Sequence, residues 1–290
     1  MSENELKSLI RLIDDPDEQV YSAVKGRLME LGIDVVPQLE IFWEANDYGL
    51  IFQHRIEQII HDIQFDNVCD RLKTWKNSSH KDLLEGAIII AQYQYPDLNV
   101  DEVHNDIERI RQDAWLEINE SLTSYETVKV LNHVFFDLHK FRADRKNYHS
   151  ASNSFITDVL KNKKGNPLSL CLIYSIVAQQ LNIPIYGVNL PNHFVLAFMD
   201  EFRTLQFVAP DEDHLGVLFY INVFNKGALF DKNEITDFLK QIKVEPKRNY
   251  FEPCSNSAII KRMLTNLKYS FAKQGVEDKT DELSILIDLI

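Results

Sequence analysis

Residues 167 to 182 read PLSLCLIYSIVAQQLN, a stretch with helical periodicity whose apolar side chains lie on most sides of the predicted helix. Asn166 is the expected N-cap and Pro167 the first helical residue, where a missing N–H costs little. Ser169 then falls at the third helical position, where its hydroxyl helps to satisfy first-turn backbone groups. Other elements must cover a helix that is apolar nearly all round. The stretch therefore predicts a central, buried helix.

The pattern changes after this helix. Short segments rich in Val, Ile, Phe and Tyr follow, separated by Pro, Asn, Asp and Gly, which is typical of antiparallel strands. These segments are IPIYGVNL (183–190), HFVLAFMD (193–200), RTLQFVAP (203–210) and VLFYINVF (217–224). Helical periodicity returns in FDKNEITDFLKQIK and in the C-terminal tail. The chain is therefore predicted to be a helix-rich α+β protein.

Residues 1 to about 95 carry helical periodicity throughout, and Gly32 is the expected C-cap of one of these helices. Within this region LIDDPDEQVYSAVKGRLMELGIDVVPQL resembles one HEAT-type repeat, a helix pair with an Asp-Pro turn. Such repeats need neighbours to bury their faces. A generic helical hairpin therefore explains this single unit equally well.

Composition excludes several classes of protein. The chain has 31 basic and 44 acidic residues and a net charge of −13, which argues against nucleic-acid binding. Its longest apolar runs are too short to span a bilayer, and MSENELKSLIRLIDD has no apolar signal core, so no membrane association is expected. Cys69, Cys171 and Cys254 are odd in number and far apart, without the spacing of a structural zinc site. We therefore expect a cytoplasmic protein without metal or cofactor.

A cysteine in the central helix and a histidine in the following strand suggest one kind of chemistry. A helix, then a strand with a histidine, then a further strand is the order in which a Cys-His-Asp site is assembled. The thiol needs the helix dipole and an adjacent imidazole to become a thiolate, and a third polar group orients the imidazole. Cys171 and His193 are the candidates for this pair.

A longer stretch resembles a known family. FRADRKNYHSASNSFITDVLKNKKGNPLSLCLIYSIVAQQLNIPIYGVNLPNHFVLAF is similar to the SirB-type branch of the transglutaminase-like superfamily. The similar pieces are the NYH…NSF approach, the GNPLSL helix start, the NIP helix exit, the GVNLPNHF strand pair and FYINVFNKGALF. The similarity extends back into AQYQYPDLNVDEVHNDIERI and forward into IIKRMLTNLKYSF, and so covers roughly residues 85 to 270. It implies a papain-like core, in which one buried helix packs on an antiparallel sheet.

The resemblance also implies where a catalytic triad would lie. In active members of the superfamily the nucleophilic cysteine comes two residues after the glycine that precedes the core helix. Counted from Gly165, this position is Pro167, while the catalytic histidine corresponds to His193 and the aspartate to Asn222. Asparagine can still hold a histidine tautomer, but proline offers no nucleophile. The resemblance therefore implies a degenerate triad.

Cys171 is the alternative nucleophile. It lies four residues after Pro167, on nearly the same helix face but about 6 Å further along the axis. Catalytic geometry tolerates displacements of only about 1 Å before rates fall steeply. Among Leu170, Leu172 and Tyr174, desolvation would also raise the pKa of the thiol. A core cysteine is therefore the favoured interpretation, and a live Cys171–His193 hydrolase or acyltransferase stays open.

The remaining polar candidates have simple structural explanations as well. His193 could hydrogen-bond a nearby carbonyl or take part in a pocket. Asn189 and Asn192 flank a strand turn, and Ser169 points roughly 200° away from position 167 and is the expected capping residue. Asp211, Asp213 and His214 are interpreted as a solvated loop rather than a metal site. The predicted pocket residues are Asn166, Ser169, Asn192, His193 and Asn222.

These observations lead to one favoured prediction of domain organisation and function, with two alternatives for the function. We expect an all-helical, HEAT-like or generic region over 1–95, a transglutaminase-like domain over 96–245 and a helical segment over 246–290. The favoured function is a non-catalytic domain (a pseudoenzyme) that binds a protein or peptide partner. The alternatives are the cysteine-dependent enzyme and a helical-repeat structural adaptor in which the sheet only packs.

Overall fold

The computed structural model describes residues 3–45, 49–201 and 215–290. Two sequence predictions lie outside these residues: the strand at 203–210, and the loop that carries Asp211, Asp213 and His214. The fold described below therefore concerns the remaining part of the chain.

Helices dominate the described residues, as predicted. They are α1 (Glu3–Arg11), α2 (Glu18–Leu31), α3 (Val36–Ala45), α4 (Leu50–Asn77), α5 (Leu83–Gln94), α6 (Val100–Glu117), α7 (Ser124–Asn132), α8 (Ile156–Asn162), α9 (Pro167–Gln180), α10 (Lys232–Gln241), α11 (Asn256–Gln274) and α12 (Glu277–Leu289). A π-helical turn, His133–Leu138, continues α7.

The main sheet has the strand order β3-β4-β5-β6, and all its neighbours are antiparallel. Its strands are β3 (Ile185–Val188), β4 (Val195–Met199), β5 (Val217–Asn222) and β6 (Ala228–Phe230). A separate parallel pair joins β1 (Arg142–Ala143) to β2 (Lys164–Gly165). The sequence predicts β3, β4 and β5. It does not predict β6 or the short parallel pair, because each of these strands is only two or three residues long. With the helices, this sheet confirms the predicted helix-rich α+β fold.

The chain divides into two compact units, Met1–Thr74 and Trp75–Ile290. The second unit begins ahead of α5 and includes α11 and α12, which the sequence assigns to a separate C-terminal segment. The three-part division at residues 95 and 245 stays a prediction.

In the first unit, helices pack around an aliphatic core that includes Ile13, Leu28 and Ile59. Arg55 donates through Nη1 to the carbonyl oxygens of Ile13 and Asp15, at 2.9 and 2.7 Å, and so satisfies the carbonyls where the turn after α1 ends. Gly32 ends α2 with a φ of 67°, as the sequence predicts for its C-cap. The predicted helical character of this region is therefore confirmed, and its resemblance to a HEAT repeat stays a prediction.

In the second unit, α9 lies at the centre. Every residue from Pro167 to Ala178 is buried, and the helix contacts β3, β4, α6 and α11. Asn132 at the end of α7 connects α9 to the β5–β6 turn. The Oδ1 of Asn132 accepts from the Tyr174 hydroxyl at 3.1 Å, and the Nδ2 of Asn132 donates to the Gly227 carbonyl at 3.0 Å. The predicted central helix on an antiparallel sheet is thus confirmed.

Candidate functional site

The start of α9 is closed by a capping box. Asn166 Oδ1 accepts from the Ser169 N–H at 2.9 Å, and Ser169 Oγ accepts from the Asn166 N–H at 3.0 Å. The Asn166 Nδ2 also donates to Ser154 Oγ at 3.0 Å. Pro167 occupies the first helical position, where no N–H is required. The predicted N-cap and capping residue are confirmed, and both side chains are committed to holding the helix start.

Gly165 makes this capping box possible. A Cβ at that position would clash with Ser169 Oγ and would press on Val159 Cγ1 at 3.2 Å and Leu170 Cδ2 at 3.3 Å. The backbone of β2 therefore approaches α9 closely because residue 165 has no side chain. The glycine of the GNPLSL stretch has a packing role here.

Cys171 lies one turn deeper in α9 and is fully buried, with an exposed fraction of 0%. Its Sγ donates to the Phe194 carbonyl oxygen at 3.6 Å, and burial raises the pKa of the thiol well above its usual range. A thiol becomes a nucleophile only as the thiolate, which this environment disfavours. The structure therefore places Cys171 in the core, as the favoured interpretation expects.

His193 lies in the turn before β4, two residues ahead of the strand it was expected to open. The turn includes Asn192 with a φ of 58°. Burial lowers the pKa of His193, and the positive charge of Arg262 lowers it further, while a side-chain hydrogen bond with Asn222 raises it. The imidazole is therefore held neutral at pH 7.

Asn222 ends β5 and meets His193, which is the pairing that the resemblance implies. Its Oδ1 also accepts from the Asn225 N–H at 3.1 Å, so the side chain caps the turn that follows the strand. A histidine and the residue that would orient it are therefore adjacent. The catalytic or binding assignment of both residues remains a prediction.

A cavity of about 640 Å³ separates the start of α9 from His193 and α11. Its walls carry the polar side chains of Tyr148 and His149 from the loop after β1 and those of Arg262 and Asn266 from α11. Tyr148, His149 and Tyr269 form a run of edge-to-face ring contacts, with centroids 5.0 and 5.4 Å apart. This first cavity is thus polar and aromatic.

A second cavity of about 400 Å³ lies on the other side of His193. Its walls are mostly apolar, with Leu190, Val195, Ile235 and Phe238 among them, and the Phe238 ring lies 6.1 Å from the imidazole, centroid to centroid. Asn192 and His193 belong to the walls of both cavities. The turn before β4 therefore separates a polar cavity from an apolar one.

The predicted pocket residues divide between these two spaces. Asn166 lines the first cavity, Asn222 lines the second, and Asn192 and His193 line both. Pro167, the implied nucleophile position, lines the first cavity as well. Ser169 is absent from the described walls of either, because its hydroxyl is enclosed in the capping box.

Sequence reasoning did not single out Arg262, Tyr148, His149 or Phe238 as wall residues. Only Tyr148, His149 and Arg262 lie in stretches that carry the family resemblance.

The walls offer few nucleophiles. Of the described residues that line the two cavities, none is a cysteine. Two wall hydroxyls donate to helix carbonyls, Thr265 to Lys261 at 2.8 Å and Ser270 to Asn266 at 2.9 Å, and Ser154 Oγ accepts from Asn166. Among the groups that line the two cavities are an imidazole, amides, a guanidinium and an apolar surface.

The described residues contain no group of three or more His, Cys, Asp or Glu side chains placed to hold a metal ion. Over the same residues, no helix is both long and apolar enough to cross a bilayer.

A buried helix on an antiparallel sheet, with a histidine-bearing turn opposite the helix start, defines a papain-like α+β domain. The sequence pattern of the transglutaminase-like superfamily matches residues 101–265. The chain belongs to this superfamily.

Proteins similar in sequence to this chain occur in animals and in bacteria. F-box only protein 21 of Mus musculus is 24% identical over 267 residues, which are 83% of this chain and 41% of that protein. The UPF0162 protein of Xylella fastidiosa (strain 9a5c) is 25% identical over 203 residues, 68% of this chain and 67% of the relative. UPF0162 protein YchA of Escherichia coli (strain K12) is 26% identical over 197 residues, 67% of this chain and 68% of the relative.

The chain thus aligns with less than half of the F-box only protein 21 sequence, at 41% of its length. No solved structure matches the chain significantly.

Proposed function

We propose that this chain is a non-catalytic member of the SirB-type branch and that its transglutaminase-like domain binds a protein or an extended peptide. Pro167 carries the proposal. It lines the first cavity at the start of α9, where the resemblance places a nucleophilic thiol, and its ring offers no nucleophile. The domain is in this sense a pseudoenzyme. A cytoplasmic location, with neither nucleic acid nor a cofactor as its partner, remains part of the same proposal.

The two cavities support binding. Successive side chains of an extended peptide point to opposite sides. Here a polar cavity and an apolar cavity share the turn with Asn192 and His193, so each could receive one of two successive side chains. The apolar walls around Phe238 are suited to one aliphatic or aromatic side chain, because buried apolar area supplies much of the affinity in such sites. Polar groups of the turn would then fix the register of the peptide.

The enzymatic alternative needs Cys171 to act with His193 and Asn222. Burial of the thiol, its hydrogen bond to the Phe194 carbonyl and its raised pKa all oppose this alternative. The adaptor alternative assigns binding to the N-terminal helices instead. A partner footprint confined to residues 1–95 would favour it over binding at the cavities.

A peptide-binding experiment tests the proposal. Peptides selected from a random-sequence display library against the full chain are titrated into the purified protein by isothermal calorimetry. We expect Phe238→Ala to weaken the selected peptides about tenfold or more, since truncating a buried aromatic contact typically removes 1 to 3 kcal/mol. Tyr186→Ala, an exposed aromatic on β3 away from both cavities, is the matched control and should leave the affinity unchanged.

Two results would contradict the proposal. One is a peptide affinity that Phe238→Ala leaves unchanged. The other is a thiol-dependent amide hydrolysis or transfer activity that Cys171→Ala abolishes while the fold stays intact.

A further inference from the structure

Arg262 on α11 lines the first cavity, and two neutral side chains hold its guanidinium. Nη1 donates to Asn189 Oδ1 at 3.1 Å, and Nε donates to Asn266 Oδ1 at 3.3 Å. Among the described residues, these two bonds leave both N–H groups of Nη2 and one of Nη1 for a ligand. The two asparagines fix the plane of the guanidinium without cancelling its charge.

Within the described residues, no carboxylate neutralises this charge. Of those that line the first cavity, none is acidic, although the chain as a whole carries a net charge of −13. Burial lowers the pKa of Arg262, and the group that acts on it in the opposite direction is Tyr148 rather than an acid. Burying a cation whose hydrogen-bond partners are neutral amides costs free energy, and a bound anion would offset this cost.

The surroundings favour an anion of limited size. His149 and His193 line the same cavity as Arg262, and the positive charge of Arg262 reaches His193. The volume of about 640 Å³ accommodates a short piece of extended peptide. A guanidinium with its paired N–H groups on Nη1 and Nη2 matches the two oxygens of a carboxylate.

We infer that the first cavity binds a carboxylate of the peptide ligand, with Arg262 as the group that pairs with it and Asn189 and Asn266 as the residues that position the guanidinium. This inference rests on the proposed peptide-binding function and adds the chemical class that the cavity selects. Either the C-terminal carboxylate or an Asp or Glu side chain could supply the charge.

Three short probes separate these sources in NMR titrations of the full-length chain. N-acetyl-alanyl-alanine carries a terminal carboxylate, N-acetyl-glutamyl-alanine amide carries only a side-chain carboxylate, and N-acetyl-alanyl-alanine amide carries none. We expect one or both carboxylate probes to shift the signals of His149, His193 and Asn266 with millimolar dissociation constants, while the uncharged amide binds about tenfold more weakly or worse.

Variants at two adjacent positions assign the effect. Arg262→Gln should weaken the carboxylate probes about tenfold, and Arg262→Lys, which keeps the charge but not the paired donors, should weaken them less. Lys261→Gln removes the same charge from an exposed neighbour on α11 and should change nothing. Thermal unfolding of each variant checks that the fold is retained.

Equal binding of the uncharged amide and the carboxylate probes would overturn the inference and leave peptide binding intact. So would carboxylate binding that survives in a folded Arg262→Gln variant. If no probe, charged or uncharged, shifts any signal of the cavity, then the inference and the proposed use of this cavity both fail.

Discussion

The two sides of the first cavity are built very differently. On the α9 side, the wall residues Asn166 and Pro167 are buried, and the Asn166 side chain closes the helix start with Ser169, which lies behind the wall. On the opposite side, His193 and Arg262 are only half-buried and line the cavity. One side is a structural cap, and the other still presents groups that can contact a ligand.

Under the proposal that Pro167 stands at a former nucleophile position, this difference indicates how such a site changes. A proline at the first helical position strengthens the start of α9, because its φ is already helical and no N–H is left over. The start of α9 is buried, and the imidazole opposite it keeps a hydrogen bond with Asn222. Under the same proposal, the binding groups on one side of the cavity persist although the chemistry of the other side is lost.

The largest expected effect concerns the cap. Gly165→Ala should lower the free energy of unfolding by about 2 to 4 kcal/mol, because the added methyl group displaces Ser169 Oγ and overpacks the contact with Leu170. Urea denaturation measures the loss. Gly26→Ala on α2 is the matched control, since nothing lies within 4 Å of the added Cβ, and it should stabilise by about 0.5 to 1 kcal/mol. A Gly165→Ala protein as stable as the wild type would contradict the close packing of residue 165 against the cap of α9.

The second expected effect concerns the thiols. Cys171 should react with iodoacetamide only after denaturation, because it is fully buried and its pKa is raised. Half-buried Cys254, whose pKa burial raises to about 11, should be modified first in the native protein. Peptide mapping by mass spectrometry distinguishes the sites.

Cys171→Ala should cost about 1 to 2 kcal/mol of stability, as expected for a small core truncation. Rapid modification of Cys171 in the native protein at neutral pH would contradict its place in the core and reopen the enzymatic alternative.

The smallest expected effect is on the pH dependence of stability. Because the pKa of His193 is lowered in the folded state, the unfolded chain binds a proton more readily. Stability from this group is therefore complete above the unfolded pKa of about 6.5 and declines as the pH falls below it toward the folded value. His193→Gln should flatten the pH dependence of the unfolding midpoint between about pH 7 and pH 5.

His104→Gln, an exposed histidine on α6, is the control for this pH series and should follow the wild-type curve. An unchanged pH dependence in His193→Gln would mean that the imidazole is not held neutral by its surroundings.

The sequence predicts the helix and the turn that frame the site better than it predicts the side chains that line the cavities. The apolar stretch at α9, the Asn166 cap and the histidine-bearing turn follow from local patterns that report on burial and helix termini. Arg262 and Phe238 come from helices far along the chain, and their convergence on His193 depends on tertiary packing. An arginine or a phenylalanine in an amphipathic helix carries no local signal of which cavity it will line. For the same reason, the packing role of Gly165 becomes visible only in the structure.

The assignment of Pro167 to the former nucleophile position is tested most directly by restoring a thiol there. In Pro167→Cys, the helix N-terminus should favour the thiolate, and the imidazole of His193, which lines the same cavity, should accept the proton of the thiol. We predict that iodoacetamide modifies the introduced thiol at least about tenfold faster than Cys254, and that adding His193→Gln removes most of this advantage. A folded Pro167→Cys protein whose introduced thiol reacts no faster than Cys254, or reacts independently of His193, would contradict the account.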